Sequence, residues 1–349
     1  MININKLKEK KYNKPYIIAE AGVNHENDIN KAFEMISSSA ENGADAIKFQ
    51  AYKAETLASR NSPAYWDTKK ETTDSQYKLF KRFDKFWKKE FELLKIECDK
   101  KNIDFLCTPF DFESANFLND LCETIKISSS DLNNLPFIEH ICKFKKNIIL
   151  STGASTFNEI NKTVDLINNN NIECIILHCV LNYPTKNEDA NLMRIKTLQE
   201  KFPNQIIGYS DHTLPNEMNL LIQSWLLGAK VIEKHYTFDK NLLGNDHYHA
   251  MDKIDLKIFV KKIDDIIKII GDGQIDSKSN EVKSRENARR SLVYNKDLNQ
   301  GSVIKHSDIT FKRPGTGISP DKYNIVIGKV MLKNTKKDEI LDWNDFEND

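Results

Sequence analysis

The chain repeats one pattern eight times: a short apolar run ends in polar side chains, and an amphipathic stretch follows. The eight apolar runs are residues 16–20, 44–50, 103–108, 124–129, 147–152, 173–179, 205–210 and 230–235. Strands that alternate with helical stretches indicate βαβ units and a parallel sheet. Eight such units in about 270 residues match the strand number and the size of a TIM barrel. We therefore predict an α/β fold of the (β/α)8 type.

Reactive side chains cluster where the predicted strands end. They are Glu20, Lys48, Gln50, Thr108, Lys126, Ser129, Ser151, Tyr183, His212 and His235. Residues two apart on a strand share a face, so Glu233 and His235 are expected to point the same way, as are Lys48 and Gln50. In a TIM barrel the carboxyl ends of the strands carry the active site. The sequence therefore predicts that these side chains meet at one end of the barrel.

Composition excludes several classes of partner. Lys plus Arg and Asp plus Glu both number 51, which gives a net charge of zero and does not favour nucleic acid or an anionic membrane as a partner. No apolar run approaches the length of a membrane span, and the first 14 residues contain no secretory signal. The six cysteines form no CxxC pair, which favours reduced core cysteines and a cytoplasmic location.

The chain divides into a long first part and a short second part. We predict a barrel over residues 1–273, a polar linker over 274–288, and a small β-rich module over 289–349 with short β-runs between turns. A module of this size has a marginal core and is expected to pack against the barrel or a partner chain. Helical stretches are predicted over 28–42, 88–101, 111–121, 134–143, 156–169, 189–201, 214–227 and 252–270. The long connections 51–87 and 236–251 are predicted to be lids or binding loops.

Two pairs of residues carry most of the predicted chemistry. His212 and His235 end the seventh and eighth runs, so both imidazoles can reach one point; such a pair suits Mn²⁺, Fe²⁺, Co²⁺ or Zn²⁺ better than Mg²⁺. The alternative is that one of them is a hydrogen-bonded interior histidine. Lys48 and Lys126 end apolar runs near small hydroxyl residues, which suits an anionic ligand such as a phosphate. The alternative for the lysines is that their stems cover apolar surface while the ammonium groups reach water.

Nine segments together make the chain resemble the sialic acid synthase family, whose members condense phosphoenolpyruvate with an amino sugar to make nonulosonic acids. The segments are IIAEAGVNH (17–25), AIKFQ (46–50), CTPFD (107–111), KISSSDLNNLP (126–136), ILSTGAS (149–155), LHCVLNYPT (177–185), GYSDHT (208–213), IEKHYT (232–237) and FKRPGTGI (311–318). The resemblance implies a TIM barrel followed by an antifreeze-like (SAF) domain. It also implies a homodimer in which the SAF domain is exchanged.

The resemblance also implies roles for individual residues. His212 and His235 match ligands of a divalent metal, expected to be Mn²⁺ with Mg²⁺ or Co²⁺ as alternatives, and Asp246 and Glu20 match acids near that metal. Lys48 and Lys126 match residues of the catalytic centre. The matched contacts to phosphoenolpyruvate are Lys48, Thr108, Lys126, Ser129 and Ser151, and those to the sugar are Gln50, Asp131, Tyr183 and Arg313.

The sequence leaves the amino sugar open between N-acetylmannosamine and a 2,4-diacetamido-6-deoxy sugar. Val180 and Leu181 stand where N-acetylneuraminate synthases carry Thr and Asn, and Lys48-Phe49-Gln50 looks closer to legionaminate synthases. Two other classes also stay open. One is a Schiff-base aldolase or lyase with Lys48 or Lys126 as its nucleophile. The other is a non-catalytic sugar-binding or ice-binding protein, which only the C-terminal module suggests.

Overall fold

The computed structural model describes residues 2–9, 13–66, 68–244, 246–275 and 279–347. Its internal contacts divide the chain into two compact units, Met1–Gly271 and Asp272–Asp349. Each unit has its own hydrophobic core. The domain limits predicted from the sequence stay a prediction, and residues 276–278 of the predicted linker lie outside the described part.

The first unit contains a single sheet of eight parallel strands. The strands are β1 (Tyr16–Gly22), β2 (Ala46–Ala51), β3 (Asp104–Pro109), β4 (Thr124–Ile127), β5 (Asn147–Ser151), β6 (Cys174–Cys179), β7 (Ile206–Asp211) and β8 (Val231–His235). Their order is β3-β2-β1-β8-β7-β6-β5-β4, and β3 also lies beside β4. The sheet thus curls into a barrel, and the predicted TIM barrel is confirmed.

Helices connect the strands on the outside of the barrel. In this unit they are α1 (Ile4–Lys8), α2 (Ile29–Glu41), α3 (Ala54–Leu57), α4 (Gln76–Phe83), α5 (Lys88–Lys100), α6 (Phe112–Leu121), α7 (Leu135–Cys142), α8 (Phe157–Asn169), α9 (Met193–Lys201), α10 (Asn219–Leu226) and α11 (Lys253–Ile270). Asp28, Asp111, Thr156 and Asp252 accept backbone N–H bonds at the starts of α2, α6, α8 and α11. These caps satisfy N–H groups that have no partner within the helix.

Two helices begin later than the sequence predicts. α10 begins at Asn219, because Asn216, Glu217 and Met218 have φ angles of 37°, 53° and 63° and cannot continue a right-handed helix. α9 begins at Met193, after Asn191 with a φ of 44°. The sequence also missed α1, α3 and α4, which are short.

The core of the first unit has an outer and an inner layer. The outer layer packs the strands against the helices, and all six cysteines of the chain are free and buried within the unit. The inner layer fills the barrel with side chains such as Ile18, Ile149 and Leu177. Ile4 and Leu7 of α1 pack against that inner layer. No helix among the described residues is long and apolar enough to cross a membrane.

A buried ion pair lies on the outer face of the barrel strands. Lys234 Nζ is 2.5 Å from Asp211 Oδ2, and Asp211 also accepts hydrogen bonds from Tyr209 and Thr213. The pKa of Asp211 is lowered: burial raises it, but Lys234 and these hydrogen bonds outweigh burial. The pair joins β7 to β8.

Replacing Asp211 by Ala is expected to lower the free energy of unfolding by about 3 kcal/mol or more, because Lys234 keeps its buried charge without a carboxylate. Urea unfolding followed by circular dichroism measures this. The matched control is Asp99→Ala, which breaks an exposed pair with Lys95 and should cost less than about 1 kcal/mol. Equal decreases in the free energy of unfolding in the two variants would contradict the expectation.

The second unit is small and mostly irregular, as the sequence predicts. Strands β9 (Ser291–Tyr294) and β10 (Ile309–Lys312) pair antiparallel, and isolated bridges such as Val303 to Val330 join further segments. Its core contains Leu292, Tyr294 and other apolar residues. The unit also contains α13 (Tyr323–Val326) and α12 (Val282–Ala288). The helix α12 occupies part of the predicted linker, where Lys, Arg, Glu and Ala favour helix even without an apolar face.

Candidate active site

Buried charges of alternating sign cross the barrel at the carboxyl ends of four strands. Lys48 Nζ on β2 lies 2.5 Å from Glu20 Oε2 on β1 and 3.8 Å from Glu233 Oε1 on β8. Lys126 Nζ on β4 lies 3.5 Å from the same Glu233 oxygen. Gln50 extends this row by donating a 2.8 Å hydrogen bond to Glu20 Oε1. We refer to Glu20, Lys48, Glu233 and Lys126 as the charged row.

Burial and the alternating charges set the protonation of the charged row. Burial raises the pKa of Glu20 more than Lys48 lowers it. Burial lowers the pKa of Lys48, but Glu20 and Glu233 outweigh burial and raise it above the usual value. The pKa of Lys126 is lowered, first by burial and then by Lys48, against the opposing effect of Glu233. The ammonium form is therefore more favoured than usual for Lys48 and less favoured than usual for Lys126.

Hydroxyl side chains surround this row. Thr108 Oγ1 accepts a 3.2 Å hydrogen bond from Lys48, and Ser210 donates a 3.1 Å bond to Glu233. Ser151 Oγ is buried and has no hydrogen-bond partner among the described residues. A Cβ on Gly153 would lie 3.0 Å from Ser129 Oγ, so the glycine lets this backbone approach Ser129 closely. A buried hydroxyl without a partner is a hydrogen-bond donor available to a ligand.

Three histidines meet at the end of β7 and β8. The rings of His212 and His235 are 5.5 Å apart between centroids, and those of His235 and His249 are 4.9 Å apart. His235, Asp246 and His249 bring one ligand atom each to within 4.8 Å of one another. Burial lowers the pKa of His212 to about 4 and that of His235 well below its usual value, so both rings are neutral near pH 7. Burial, followed by the charge of Glu20, raises the pKa of Asp246 to about 7.

This histidine cluster fits a divalent transition metal. His212 Nδ1 donates a 2.7 Å hydrogen bond to the Val180 carbonyl oxygen, which fixes the tautomer and leaves Nε2 unprotonated. Metal-bound histidines usually donate their other ring N–H to such an oxygen. His235 Nδ1 is buried without a hydrogen bond to any described residue. Neutral imidazoles with a carboxylate are the ligands that Mn²⁺, Fe²⁺, Co²⁺ and Zn²⁺ accept. The sequence prediction of His212 and His235 as ligands stays a prediction, and the structure adds His249 as a candidate.

Tyr183 packs against the histidine cluster. Its ring centroid is 4.2 Å from that of His212 and 6.0 Å from that of His235. Tyr248 donates a 2.8 Å hydrogen bond to the Tyr183 carbonyl oxygen, which joins the loop after β8 to the segment after β6. Tyr183 therefore lies beside the histidine cluster, and its predicted contact with the sugar stays a prediction.

A cavity of about 350 Å³ opens above the histidine cluster. Its polar side includes Gln50, Asp131, His235 and Asp246, and its apolar side comes largely from the connection between β2 and β3. Burial raises the pKa of Asp131. Among the described residues neither Lys48 nor Lys126 lines the cavity, and Gln50 links it to the charged row. The site thus has a deep charged part and an outer cavity.

Most residues predicted from the strand ends lie together in the first unit. Arg313 was predicted from the family resemblance alone. Arg313 is an exposed residue of the second unit, so its predicted sugar contact stays a prediction. Sequence reasoning noted that Glu233 shares a face with His235 but missed its role between the two lysines. The signal was present, because a carboxylate inside an apolar strand needs a partner.

The barrel, the charged row and the histidine cluster are together typical of a (β/α)8 enzyme, with its candidate active site at the carboxyl ends of the strands. Comparison with known sequences gives a more specific result. The sequence profile of the NeuB family matches residues 35–275, and that of the SAF domain matches residues 289–347. The chain belongs to the NeuB family and carries a C-terminal SAF domain.

Similar proteins have related names. The N,N'-diacetyllegionaminic acid synthase of Campylobacter jejuni is 37% identical over 94% of this chain and 99% of its own length. The synthase of the same name from Legionella pneumophila is 35% identical over 95% of this chain and 94% of its own length. A crystal structure of N-acetylneuraminic acid (sialic acid) synthetase from Leptospira borgpetersenii, in complex with citrate, has a TM-score of 0.69 and 38% identity over 78% of this chain and 90% of that chain.

Proposed function

We propose that this protein is a nonulosonic acid synthase. It condenses phosphoenolpyruvate, an N-acylated hexosamine in its open-chain form and water to give a sialic-acid-type sugar and inorganic phosphate. The hexosamine is N-acetylmannosamine or a 2,4-diacetamido-6-deoxy sugar, and the enzyme is then a carbon–carbon bond-forming transferase. The synthase names of its relatives and the two-part site support this assignment.

The charged row and its hydroxyls form the proposed phosphoenolpyruvate site. Lys48 and Lys126 offset the negative charge of the phosphate and carboxylate groups, and Ser151, Ser129 and Thr108 supply hydrogen bonds to their oxygens. Because these groups are fixed by the barrel strands, they do not need to reorganise as charge moves during the reaction. The row is electrically balanced without ligand, so its lysines are held in place by Glu20 and Glu233 until the anion arrives.

The reaction begins with a new carbon–carbon bond. The C3 carbon of phosphoenolpyruvate attacks the aldehyde carbon of the sugar, and the loss of the enol electrons leaves a cation at C2. The electrons of the aldehyde C=O π bond move to the aldehyde oxygen, which takes up a proton and becomes a hydroxyl group. Water adds at C2, and its proton passes to Asp246, which lines the cavity, or to Glu20, which Gln50 links to the cavity. In the resulting tetrahedral adduct the bond between C2 and the phosphate oxygen breaks. Inorganic phosphate leaves, and the new C2 hydroxyl group loses its proton and becomes a ketone. Gln50, Asp131 and Tyr183 are proposed to orient the sugar.

A divalent metal fits the reaction. His212 and His235 would hold it, with Asp246 acting through a water molecule, and Mn²⁺ is proposed over Mg²⁺ or Co²⁺. When bound, the metal would supply Lewis-acid polarisation of the aldehyde oxygen. The neutral state of both imidazoles supports this assignment, because histidine must be unprotonated to bind a metal.

The charged row beside the histidine cluster is the observation that carries the proposal. The test is phosphate release from phosphoenolpyruvate with Mn²⁺, in parallel reactions with N-acetylmannosamine and with 2,4-diacetamido-2,4,6-trideoxymannose. We expect phosphate release that requires one of these sugars. Absence of phosphate release with both sugars, in protein shown to contain metal, would overturn the assignment.

A Schiff-base aldolase is the second candidate, and one observation favours it. The lowered pKa of Lys126 is what an amine nucleophile needs. Incubation with borohydride and substrate, followed by mass spectrometry, separates the two mechanisms. Covalent labelling of Lys126 or Lys48 would identify the aldolase, whereas the synthase is expected to stay unlabelled.

The SAF domain suggests how the site is completed. We propose a homodimer in which this domain is exchanged, so that Arg313 binds the N-acyl carbonyl of the sugar in the partner's barrel. An arginine suits this role because its planar guanidinium presents several donors in a fixed arrangement. The match of residues 289–347 to the SAF domain supports the presence of the domain that this proposal requires.

A further inference from the structure

We infer that the connection between β2 and β3 determines which sugar the enzyme accepts, through an apolar wall held in place by Trp66, Glu71 and Arg82. This inference rests on the proposed function and names its substrate class. The wall is a part of the apolar side of the cavity. Its side chains are Leu57, Tyr65, Trp66, Phe80, Phe83 and Leu181.

Five of these six side chains come from the one connection, which folds back on itself. Ala64 N donates to the Asp74 carbonyl oxygen at 3.0 Å, and Gln76 N donates to that of Ser62 at 3.1 Å. The helix α4 follows and supplies Phe80 and Phe83. The described residues of this segment are therefore joined by backbone hydrogen bonds and cover one side of the cavity.

Trp66 is held by two hydrogen bonds and by ring packing. It is 7% exposed, and its indole Nε1 donates to the carbonyl oxygens of Glu71 at 3.2 Å and Thr73 at 3.1 Å. Tyr65 packs against it at 5.3 Å between ring centroids and lies 6.3 Å from Tyr183. Through Tyr65 the wall thus contacts Tyr183, which packs on the histidine cluster.

Glu71 and Arg82 hold the segment that carries Trp66. Glu71 is 4% exposed, and its Oε1 accepts hydrogen bonds from Thr73 N at 2.9 Å, Thr73 Oγ1 at 2.6 Å and Arg82 Nη1 at 3.0 Å. The Arg82 carbonyl oxygen accepts a 2.7 Å bond from Asn27, which ties α4 to the loop after β1. Arg82 is therefore a positioning residue that acts on the wall through Glu71.

The chemistry of the wall favours a sugar with apolar substituents on that side. A methyl group at C6 and the methyl of an acetamido group lose no hydrogen bonds when they pack against Trp66 and Leu181. A C6 hydroxyl placed there would lose water without gaining a partner from these side chains. Apolar pockets reject an added hydroxyl by up to about 100-fold, which sets the scale of the expected preference. We infer that the substrate is the 6-deoxy, twice-acylated sugar.

The test compares kcat/KM for 2,4-diacetamido-2,4,6-trideoxymannose and for N-acetylmannosamine in the full-length enzyme with Mn²⁺. We expect the wild-type protein to prefer the first sugar by roughly 10- to 100-fold. Trp66→Ala should reduce that preference by about tenfold while leaving KM for phosphoenolpyruvate unchanged, and Trp66→Phe should keep most of it. Arg82→Ala should raise KM for the sugar alone, whereas exposed Arg60→Ala should change nothing.

Several outcomes would overturn the inference. These are a wild-type preference for N-acetylmannosamine, an unchanged preference in Trp66→Ala, and equal effects of Arg82→Ala on both substrates. If Trp66→Ala does not fold, Leu181→Asn tests the same wall from the other side and should also reduce the preference. If neither sugar releases phosphate, the proposed function fails, but the wall can still be tested by fluorescence. A sugar that contacts the wall should change the tryptophan fluorescence of the wild-type protein, and Trp66→Phe should remove that change. An equal change in both proteins, or none in either, would overturn the inference about the wall.

Discussion

Lys126→Met is expected to lower kcat/KM for phosphate release by about 10³-fold. Lys126 lies 3.5 Å from Glu233 inside the barrel, at the place proposed for the phosphoenolpyruvate anion. Methionine keeps the volume of the stem but removes the charge that offsets the anion. The substitution also leaves Lys48, at 3.8 Å, as the lysine of the charged row that offsets the charge of Glu233. Steady-state phosphate release at saturating sugar measures the effect.

The matched control is Lys146→Met. Lys146 lies in the loop before β5, donates to the carbonyl oxygens of Asn119 and Cys122, and is not among the residues of the site. Its replacement should lower activity by less than about threefold if the enzyme stays folded, because it touches no reacting atom. Full activity of Lys126→Met would contradict the assignment of Lys126 to the anion site.

Removal of divalent metal is expected to abolish turnover. Chelation followed by gel filtration should lower phosphate release by at least about 10³-fold, because metal stabilisation of developing charge contributes several kcal/mol. Added Mn²⁺ should restore the rate. His212→Ala and His235→Ala should each weaken Mn²⁺ binding by about 100-fold or more, which titration calorimetry measures without substrate.

His249 and His140 provide the comparison for that experiment. His249→Ala should weaken Mn²⁺ binding by less than about tenfold if His212 and His235 are the ligands. A loss in His249→Ala equal to that in His235→Ala, with His212→Ala unaffected, would instead assign the metal to His235, Asp246 and His249. His140→Ala, on α7 and bonded to Asn116, should bind Mn²⁺ as the wild-type protein does.

The barrel was predictable because the spacing of apolar residues differs between its strands and its helices, and because polar residues mark the strand ends. Eight apolar runs match eight strands, and the caps Asp28 and Asp252 mark helix starts in the sequence. The helix α3 was not predictable, because its four residues are too few to show a helical period. The late start of α10 depends on three residues with positive φ, which a sequence pattern does not reveal.

The residues of the site were easier to predict than their contacts. Strand ends and face parity place Lys48, Lys126 and His235 at the mouth of the barrel. They do not show that Glu233 lies between the two lysines, because that contact depends on the curvature of the closed sheet. A lid or binding loop was predicted over 51–87, but the hydrogen bonds that hold Trp66 were hidden, because they form within irregular backbone.

The charged row has a consequence for attempts to make this protein more thermostable. Replacing a buried set of opposite charges by apolar side chains of similar volume is often neutral or stabilising by about 1–4 kcal/mol. Glu20, Lys48, Glu233 and Lys126 are therefore positions where a search guided by melting temperature alone would accept inert proteins. Directed evolution of this barrel must select for turnover at every round, because apolar substitutions that raise the melting temperature would remove the charges proposed to bind phosphoenolpyruvate.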